Sequence, residues 1–515
     1  MLGRAVLTCI FIGLSLAFSG VVHAEWLQSS SAHFVVYSND SPRNIRRFSE
    51  QLERYDSAMA YAIGVTRPAI SPSNRVTVYI VNSDDNVRKL YGDGAKYING
   101  FYVPRAGGSL AVIPPVTAAT GRAEYSMIVL LHEYAHHFLA STSNFPIPRW
   151  MSEGSAEFFS SASFDHDGGV GLGMPAQHRA NELFLARDVK VEELLDPATY
   201  EARRGKGYDA YYGKSWLLYH YLTFAAERNG QMTRYMQLLT NGKSSRNAAL
   251  EAFGDFAQLE KDLDAYLGRR RMTMLQLKPS MLQTGQIDVR KLSAGEAAIM
   301  PSRIRSRRGV TPEQAKELLV GVRAIAAKFP GDAAVLASLA EAEHDAGNDK
   351  DAIAAADAAL AIDPSSVDAY VQKGYALFRI ATEAKDPVGA YKAARAPWIA
   401  LNKLEHDHPL PLVYYYRSFA EQGVEPPAIA LAGLKQAASL APFDLSLQMM
   451  LAMHMLQKGE RGPARDYLRP VAYNPHGGAM ADGALKILTR LDSDPKWDGR
   501  DARTIMSAAG SESDE

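Results

Sequence analysis

A chain of 515 residues is too long for one ordinary hydrophobic core, and at about 150 residues per domain it predicts roughly three domains. Its composition of 47% apolar and 22% charged residues is typical of a soluble globular protein. The net charge of −1 gives no attraction for nucleic acid or for an anionic membrane surface, so neither is expected as a partner.

Residues 1–24 have the three parts of a secretory signal peptide. Arg4 supplies the positive charge, an apolar stretch follows, and "VVHA" ends in small residues before the expected cleavage after Ala24. We therefore expect a periplasmic or secreted protein with no stable membrane insertion after cleavage. The alternative is an uncleaved anchor, because about 20 apolar residues would span a bilayer. The single cysteine, Cys9, lies in this leader, so the mature chain is not a disulfide scaffold.

Residues 32–116 predict a mixed α/β arrangement. Short β-branched or aromatic runs predict strands in "HFVVYS", "RVTVYIV", "INGFYVP" and "GSLAVIPPV". The segment between the first two runs predicts an amphipathic helix that starts at Ser-Pro and stops at a glycine. We also expect "GSLAVIPP" to be the sheet edge along which an extended peptide adds as a strand.

The pattern then becomes helical. Residues 122–268 predict mainly helices, whereas residues 269–310 are weakly patterned and predict a connector that contains a hairpin. The polar segment 491–515 predicts a disordered tail.

From residue 311 the chain becomes rich in alanine and carries a repeat. Prolines close successive units, at Pro364, Pro409, Pro442 and Pro475. The last three are 33 residues apart, and the interval of 45 residues before them indicates an insertion. With small residues at the expected packing positions, this spacing resembles tetratricopeptide repeats, predicted over 311–490, and the alternative is an irregular helical domain. Repeats of this kind offer a concave surface to a protein partner and contact mainly their own neighbours, so we expect the preceding module to be independent of them.

The most informative stretch is "IVLLHEYAHHFLA", an apolar run that contains three histidines and one glutamate. His132, Glu133 and His136 form an H-E-x-x-H pattern. On a helix, side chains at i and i+4 lie on one face about 5–6 Å apart, a separation from which two imidazoles can hold one tetrahedral ion. Glu133 is turned away from that pair but can reach a water molecule bound to the ion. His137 points elsewhere, and we expect it to be structural.

A catalytic metal needs a third protein ligand and one open position. Downstream, "PRWMSEGSAEFF" places Glu153 and Glu157 one helical turn apart on one face. Either carboxylate can complete the site, and the spacing alone does not choose between them.

The pair "HEYAH" and "WMSEGSAEF" resembles the gluzincin (thermolysin-like, peptidase-MA-like) zinc metallopeptidases over roughly residues 30–268. The resemblance implies an α+β zincin-like catalytic module at 25–268 and one Zn²⁺ per chain. In that arrangement His132, His136 and Glu153 hold the ion, and Glu157 braces a ligand histidine by a hydrogen bond.

A further segment, "YYGKSW", is similar to the Y-E-K-G segment of the aminopeptidase branch of that family. The similarity implies that Tyr212 donates a hydrogen bond to the oxyanion, with Tyr211 as the alternative. The chain has no G-x-M-E-N segment before the H-E-x-x-H pattern, so recognition of a free amino terminus is not implied.

These features together predict an α+β zincin-like catalytic module followed by an all-α tetratricopeptide-like helical repeat module. The function they favour is that of a secreted zinc-dependent peptidase, in which Glu133 is the general base and the substrate is a peptide or protein. One alternative is an interaction scaffold whose peptidase module is vestigial. Another is a zinc amidohydrolase that acts on a non-peptide amide.

Overall fold

The computed structural model of the chain describes residues 25–67, 70–92, 98–116, 118–142, 147–203, 205, 207–474 and 477–512. The expected signal peptide and the repeat proline Pro475 lie outside the described residues. Within them, no helix combines the length and the apolar character that crossing a membrane requires.

The strands of the described residues form two sheets. In chain order they are β1 Leu27–Ser30, β2 Phe34–Ser38, β3 Val76–Ile80, β4 Phe101–Val103, β5 Leu110–Ile113, β6 Gly121–Arg122, β7 Ser163–Phe164, β8 Val170–Leu172, β9 Leu275–Leu277 and β10 Asp288–Lys291. The main sheet has the order β10-β1-β2-β3-β5-β4, and a small antiparallel sheet, which the sequence did not predict, has the order β6-β7-β8-β9. In the main sheet β3 is parallel to β2 and β5, and the other neighbours are antiparallel.

The α-helices cover most of the rest of the described chain. They are α1 Pro42–Ile63, α2 Asp84–Tyr91, α3 Tyr125–Thr142, α4 Arg149–Ser160, α5 Ala180–Leu185, α6 Val191–Leu195, α7 Pro197–Arg203, α8 Tyr211–Phe224, α9 Gln231–Thr240, α10 Ser245–Phe253, α11 Phe256–Leu267, α12 Ala294–Arg308, α13 Pro312–Lys328, α14 Ala333–Asp345, α15 Asp349–Ile362, α16 Val367–Thr382, α17 Pro387–Leu404, α18 Pro409–Ala420, α19 Ala428–Leu440, α20 Leu445–Gln457, α21 Arg461–Ala472, α22 Ala479–Ser493 and α23 Ala502–Glu512.

Helix α1 forms where the sequence predicts it. The side chain of Ser41 accepts a hydrogen bond from the backbone N–H of Asn44, and Pro42 occupies the first turn. The helix ends at Gly64, which adopts the left-handed conformation at φ 71°. Its apolar face packs on the main sheet and on α3 in one hydrophobic core.

The prediction that "GSLAVIPP" forms the edge of the sheet is wrong, because this strand is next to the edge strand. The segment "GSLAVIPP" contains β5, which is paired on both sides, with β3 and with β4. The edge strand at this end of the sheet is β4, because the turn at Gly107 and Gly108 folds β4 back along β5. Gly107 has a φ of 72°, which favours glycine in such a turn.

The predicted connector is also wrong, since it is part of the N-terminal sheets. Strand β9 pairs with β8, and β10 pairs with β1 as an edge strand of the main sheet. Three of the four β10 residues are exposed, so this strand lacks the alternation of a half-buried strand in its sequence. Helix α12 then packs on the sheet through Met300 and Ile304. We call residues 25–291 the N-terminal module and residues 312–512 the helical module.

The helical module consists of consecutive packed helices, as the repeat predicts. Each helix from α13 to α23 packs against the next, and α14 also packs against α16. Small residues permit the close crossings. A Cβ on Gly374 would lie 2.4 Å from the indole of Trp398, which stands in the inserted helix α17.

The predicted disordered tail is wrong as far as residue 512. Helix α22 continues to Ser493, and α23 begins at Ala502. Between them Trp497 is buried in the core of the helical module, and its indole N–H donates to Asp501 at 2.5 Å. The segment is therefore ordered by Trp497 together with Leu491, Ala502, Ile505 and Met506, which pack in the same core.

The helical module contacts the N-terminal module, and that the N-terminal module folds without it stays a prediction. Asn74 donates to the backbone oxygen of Leu440 at 3.1 Å, and Ser73 donates to Glu405 at 2.9 Å. The ring of Phe443 lies 4.3 Å from the ring of His137 on α3. The repeats therefore contact more than their own neighbours.

Helices α4 and α8 approach each other most closely at Gly154. A Cβ at this position would lie 2.4 Å from the backbone oxygen of Ser215 and 3.1 Å from the Cβ of Tyr219. The approach leaves no room for even one methyl group, so a glycine is required.

Gly154→Ala is therefore expected to lower the free energy of unfolding by about 1–3 kcal/mol, because overpacking forces the two helices apart. The matched control is Gly321→Ala in α13, where a Cβ meets no atom within 4 Å. There alanine should raise the free energy of unfolding by about 0.5–1 kcal/mol. Urea unfolding in the presence of a chelator measures both, and equal effects would contradict the close approach.

Candidate metal centre

The centre is built by α3 and α4, two helices whose spacing of apolar and ionisable residues is visible in the local sequence. The apolar side of α3 is buried, including Leu131 and Phe138, and this orients the polar face of the helix toward α4. Every residue of α4 after Arg149 is buried, because α4 lies between α3 and α8. The ionisable side chains of α3 and α4 therefore meet in the interior of the N-terminal module.

The three residues His132, His136 and Glu153 converge on one point. The two Nε2 atoms are 3.2 Å apart. The Oε2 atom of Glu153 lies 3.4 Å from Nε2 of His132 and 3.5 Å from Nε2 of His136. These three atoms form a nearly equilateral triangle.

The triangle fits a tetrahedral zinc ion. With bonds of about 2.0–2.1 Å, the ligand atoms of such an ion stand about 3.3 Å apart. Both oxygens of Glu153 are buried, and no hydrogen-bond donor among the described residues reaches either of them. Burial alone would raise the pKa of Glu153, but His132 and His136 lower it, so the carboxylate stays ionised. A cation between this carboxylate and the two imidazoles would pair the buried charge at shorter distance.

Both histidines are oriented through their second ring nitrogen. Nδ1 of His132 lies 3.2 Å from Oε1 of Glu157, and Nδ1 of His136 is hydrogen-bonded to the hydroxyl of Ser152 at 3.2 Å. This arrangement directs both Nε2 atoms toward Glu153, as a metal site requires. Glu157 thus contacts a ligand histidine from the side away from the triangle.

Glu157 is held by two residues that the sequence analysis missed. His178 donates from Nε2 at 2.6 Å, and Arg179 donates from a guanidinium nitrogen at 2.5 Å. Both stand on a short 3-10 turn, Gln177–Arg179. Their segment has no periodicity or spacing that links it to the H-E-x-x-H pattern, so no local signal could have found them.

These contacts set the protonation of the buried groups. Burial alone would raise the pKa of Glu157, but His132, His178 and Arg179 hold that pKa well below its usual range. Burial alone would lower the pKa of His132, but Glu157 and Glu153 raise it to about 10. A proton on His132 is therefore favoured by the two carboxylates, and a cation that binds there would compete with it.

Glu133 lies on the same helix, half-buried, next to the ligand His132. It is close enough to Tyr102 of β4 to raise the pKa of that tyrosine, after burial, which is the larger cause. The carboxylate that the pattern predicts as a base is thus adjacent in the helix to His132 and acts electrostatically on a residue of β4.

Tyr212 makes a ring contact with His132 of the triangle, and the ring of Tyr211 contacts Arg149. The ring of Tyr212 is 6.4 Å from that of His132, and the guanidinium of Arg179 lies 4.8 Å from its centroid. Burial, with a smaller contribution from Glu153, raises the pKa of Tyr212 to about 12, so its hydroxyl keeps its proton at neutral pH. Tyr211 instead packs against Arg149, whose guanidinium is 4.6 Å from its ring.

His137 has the structural surroundings that its position on the helix predicts. The hydroxyl of Tyr102 donates to its Nδ1 at 2.6 Å, and the ring of Phe443 packs on it. Burial lowers the pKa of His137 to about 3, so the ring is neutral and can accept this bond.

Comparisons with known proteins add little to this geometry. No protein-family profile matches the chain, and no curated protein matches it. Among solved structures, the chain is similar to a thermophilic TPR protein from Thermus thermophilus with 18% identity and a TM-score of 0.31. That likeness covers 42% of this chain and 98% of the other. A TM-score this low carries no argument, so the description of the helices rests on their own packing.

Removal of the two glutamates separates their roles. Glu153→Ala is expected to abolish stoichiometric zinc binding, since it deletes one corner of the triangle. Glu157→Ala should weaken zinc affinity about 10- to 100-fold, the usual effect of losing a residue that orients a ligand. Zinc content measured against a graded chelator checks both, with the exposed Glu124→Ala as the control. If Glu157→Ala empties the site and Glu153→Ala does not, the two roles are reversed.

Proposed function

We propose that this chain is a gluzincin-like zinc-dependent peptidase, and that it acts in the periplasm or outside the cell. The observation that carries the proposal is the triangle of two Nε2 atoms and one Oε2 atom, around a carboxylate that no donor among the described residues satisfies. The location is supported by the signal-like residues 1–24.

A Zn²⁺ ion held by His132, His136 and Glu153 would supply Lewis-acid chemistry and lower the pKa of water to about 7. Glu133 accepts the proton of the attacking water and later passes it to the leaving amine. Its half-buried place next to His132 supports this role, because it lies near the triangle without belonging to it.

Tyr212 donates its hydroxyl to the carbonyl oxygen as negative charge develops there. Its raised pKa keeps it a donor at neutral pH, and Arg179 holds its ring by a cation–π contact. An oxyanion donor of this kind is worth roughly 3 kcal/mol in the transition state.

The free edge of the main sheet favours a peptide over a small non-peptide amide as the substrate. No described strand pairs with the outer side of β4, and Tyr102 of this strand contacts His137 on α3. An extended peptide can add to such an edge by main-chain hydrogen bonds, which brings its own backbone alongside the metal centre. We therefore assign strand addition of the peptide to β4, and not to the segment "GSLAVIPP" that the sequence predicted.

The scaffold hypothesis is less well supported, because a vestigial peptidase module need not keep a complete set of ligands and a base. His132, His136, Glu153 and Glu133 all stand on two packed helices. Helical repeats commonly bind proteins, and a protein partner for the helical module stays a prediction.

Glu133→Gln is expected to retain about one zinc ion per chain and to lose nearly all hydrolysis. The amide keeps the shape of the side chain but cannot accept the proton. Metal analysis and cleavage of casein or a peptide library check the two parts, and the exposed Glu124→Gln is the control. Full activity in Glu133→Gln would contradict the proposed base.

Tyr212→Phe is expected to lower kcat roughly 100-fold with little change in KM, because an oxyanion donor acts mainly in the transition state. Tyr211→Phe is the matched control, since that ring packs on Arg149 rather than on His132. Steady-state kinetics on one peptide separate them. An unchanged kcat for Tyr212→Phe would remove the tyrosine from the mechanism.

A further inference from the structure

One corner of the helical module, the turn between α19 and α20, touches the N-terminal module next to the metal centre. At this corner Phe443 packs on His137, with ring centroids 4.3 Å apart. His137 follows the ligand His136 directly in α3. The same histidine accepts the hydroxyl of Tyr102 from β4, so one contact reaches both α3 and the free edge strand.

The neighbouring residue Asp444 uses its two carboxylate oxygens for two different purposes. Oδ1 caps α20 by accepting from the backbone N–H of Ser446 at 3.0 Å. Oδ2 accepts from the backbone N–H of Ala106 at 2.8 Å, a bond between residues 338 positions apart in the chain. Ala106 belongs to the turn that joins β4 to β5, and it is buried in the core of the helical module with Leu434 and Leu447.

The rest of this turn is enclosed as tightly. A Cβ on Gly107 would lie 2.9 Å from Cε1 of the buried His408 and 3.0 Å from Leu410. On the other side, Arg105 donates to the backbone oxygen of Arg307 at 2.6 Å. The turn is thus inserted between α12 and the helical module.

These contacts around the β4–β5 turn, which we call the grip, matter because β4 is short and paired on one side. Its three residues pair with β5 alone among the described strands. A short edge strand frays unless its ends are held by other contacts, and the β4–β5 turn provides those contacts at one end of β4. A peptide that adds to a frayed strand must also order that strand, which weakens binding.

We propose that Phe443 and Asp444 are positioning residues for the substrate strand, so that the repeats act on the peptidase module of their own chain. Asp444 fixes the β4–β5 turn, and Phe443 fixes His137 and through it Tyr102. The part that concerns substrate rests on the proposed function, whereas the grip on the turn does not. The face of the helical module at this corner is accordingly occupied by the chain itself.

The test uses Asp444→Ser in the full chain. Serine still caps α20 but is too short to reach Ala106. Asp386→Ser is the matched control, because Asp386 caps α17 by accepting from Gly389 and is exposed. Hydrogen exchange followed by mass spectrometry should show peptides of residues 101–110 exchanging about tenfold faster in Asp444→Ser, as loss of a bond to a charged acceptor predicts. The control should match the unmodified protein.

Kinetics provide the second readout. In Asp444→Ser, KM for peptides long enough to lie along β4 should rise several-fold, while kcat and zinc content stay unchanged. Asp444→Asn is the second variant if the serine protein unfolds; it keeps one accepting oxygen and cannot serve both partners. Unchanged exchange in the folded variants overturns the grip, and an unchanged KM overturns the positioning role. If exchange rises but even the unmodified protein cleaves nothing, the proposed function fails while the grip stands.

Discussion

An ionised carboxylate inside a protein costs several kcal/mol unless something balances it, and Glu153 is fully buried with only the imidazoles of His132 and His136, 3.4 and 3.5 Å away, to balance it among the described residues. The surrounding structure is arranged around this charge. Two imidazoles from α3 face it, and the close approach of α4 to α8 at Gly154 keeps the helix that carries it in place. A cation at the triangle would convert this costly arrangement into a binding site, which gives the buried charge a reason to exist.

Charges of alternating sign extend outward from this carboxylate. His132 lies between Glu153 and Glu157, and Glu157 is balanced on its far side by Arg179. Arg179 in turn lies over the ring of Tyr212. Each group therefore limits the movement of the next, and the orientation of a predicted ligand is coupled to that of a predicted oxyanion donor. Preorganisation of this kind is what electrostatic catalysis requires, because the dipoles need not rearrange during the reaction.

The sequence predicted what is encoded by local spacing. His132 and His136 are one helical turn apart, as are Glu153 and Glu157, and a helix converts such spacing into a shared face without help from the rest of the chain. It failed where a residue acquires its role from a distant partner. His178 and Arg179 gain theirs from Glu157, and β10 is a strand because β1 offers an open edge.

The same reasoning explains why the contacts between the two modules were not predicted. The sequence around Ala106 does not predict its bond to Asp444, and the neighbouring Gly107 predicts only a turn. In the fold, that turn ends the one strand of the main sheet whose outer edge lies next to the metal centre. An open strand edge is an aggregation hazard, and proteins control such edges by shortening or covering them. Here the strand is three residues long and its end is enclosed by the helical module. If a peptide substrate binds along β4, as proposed, the repeats restrain the end of a strand whose edge must stay open for it.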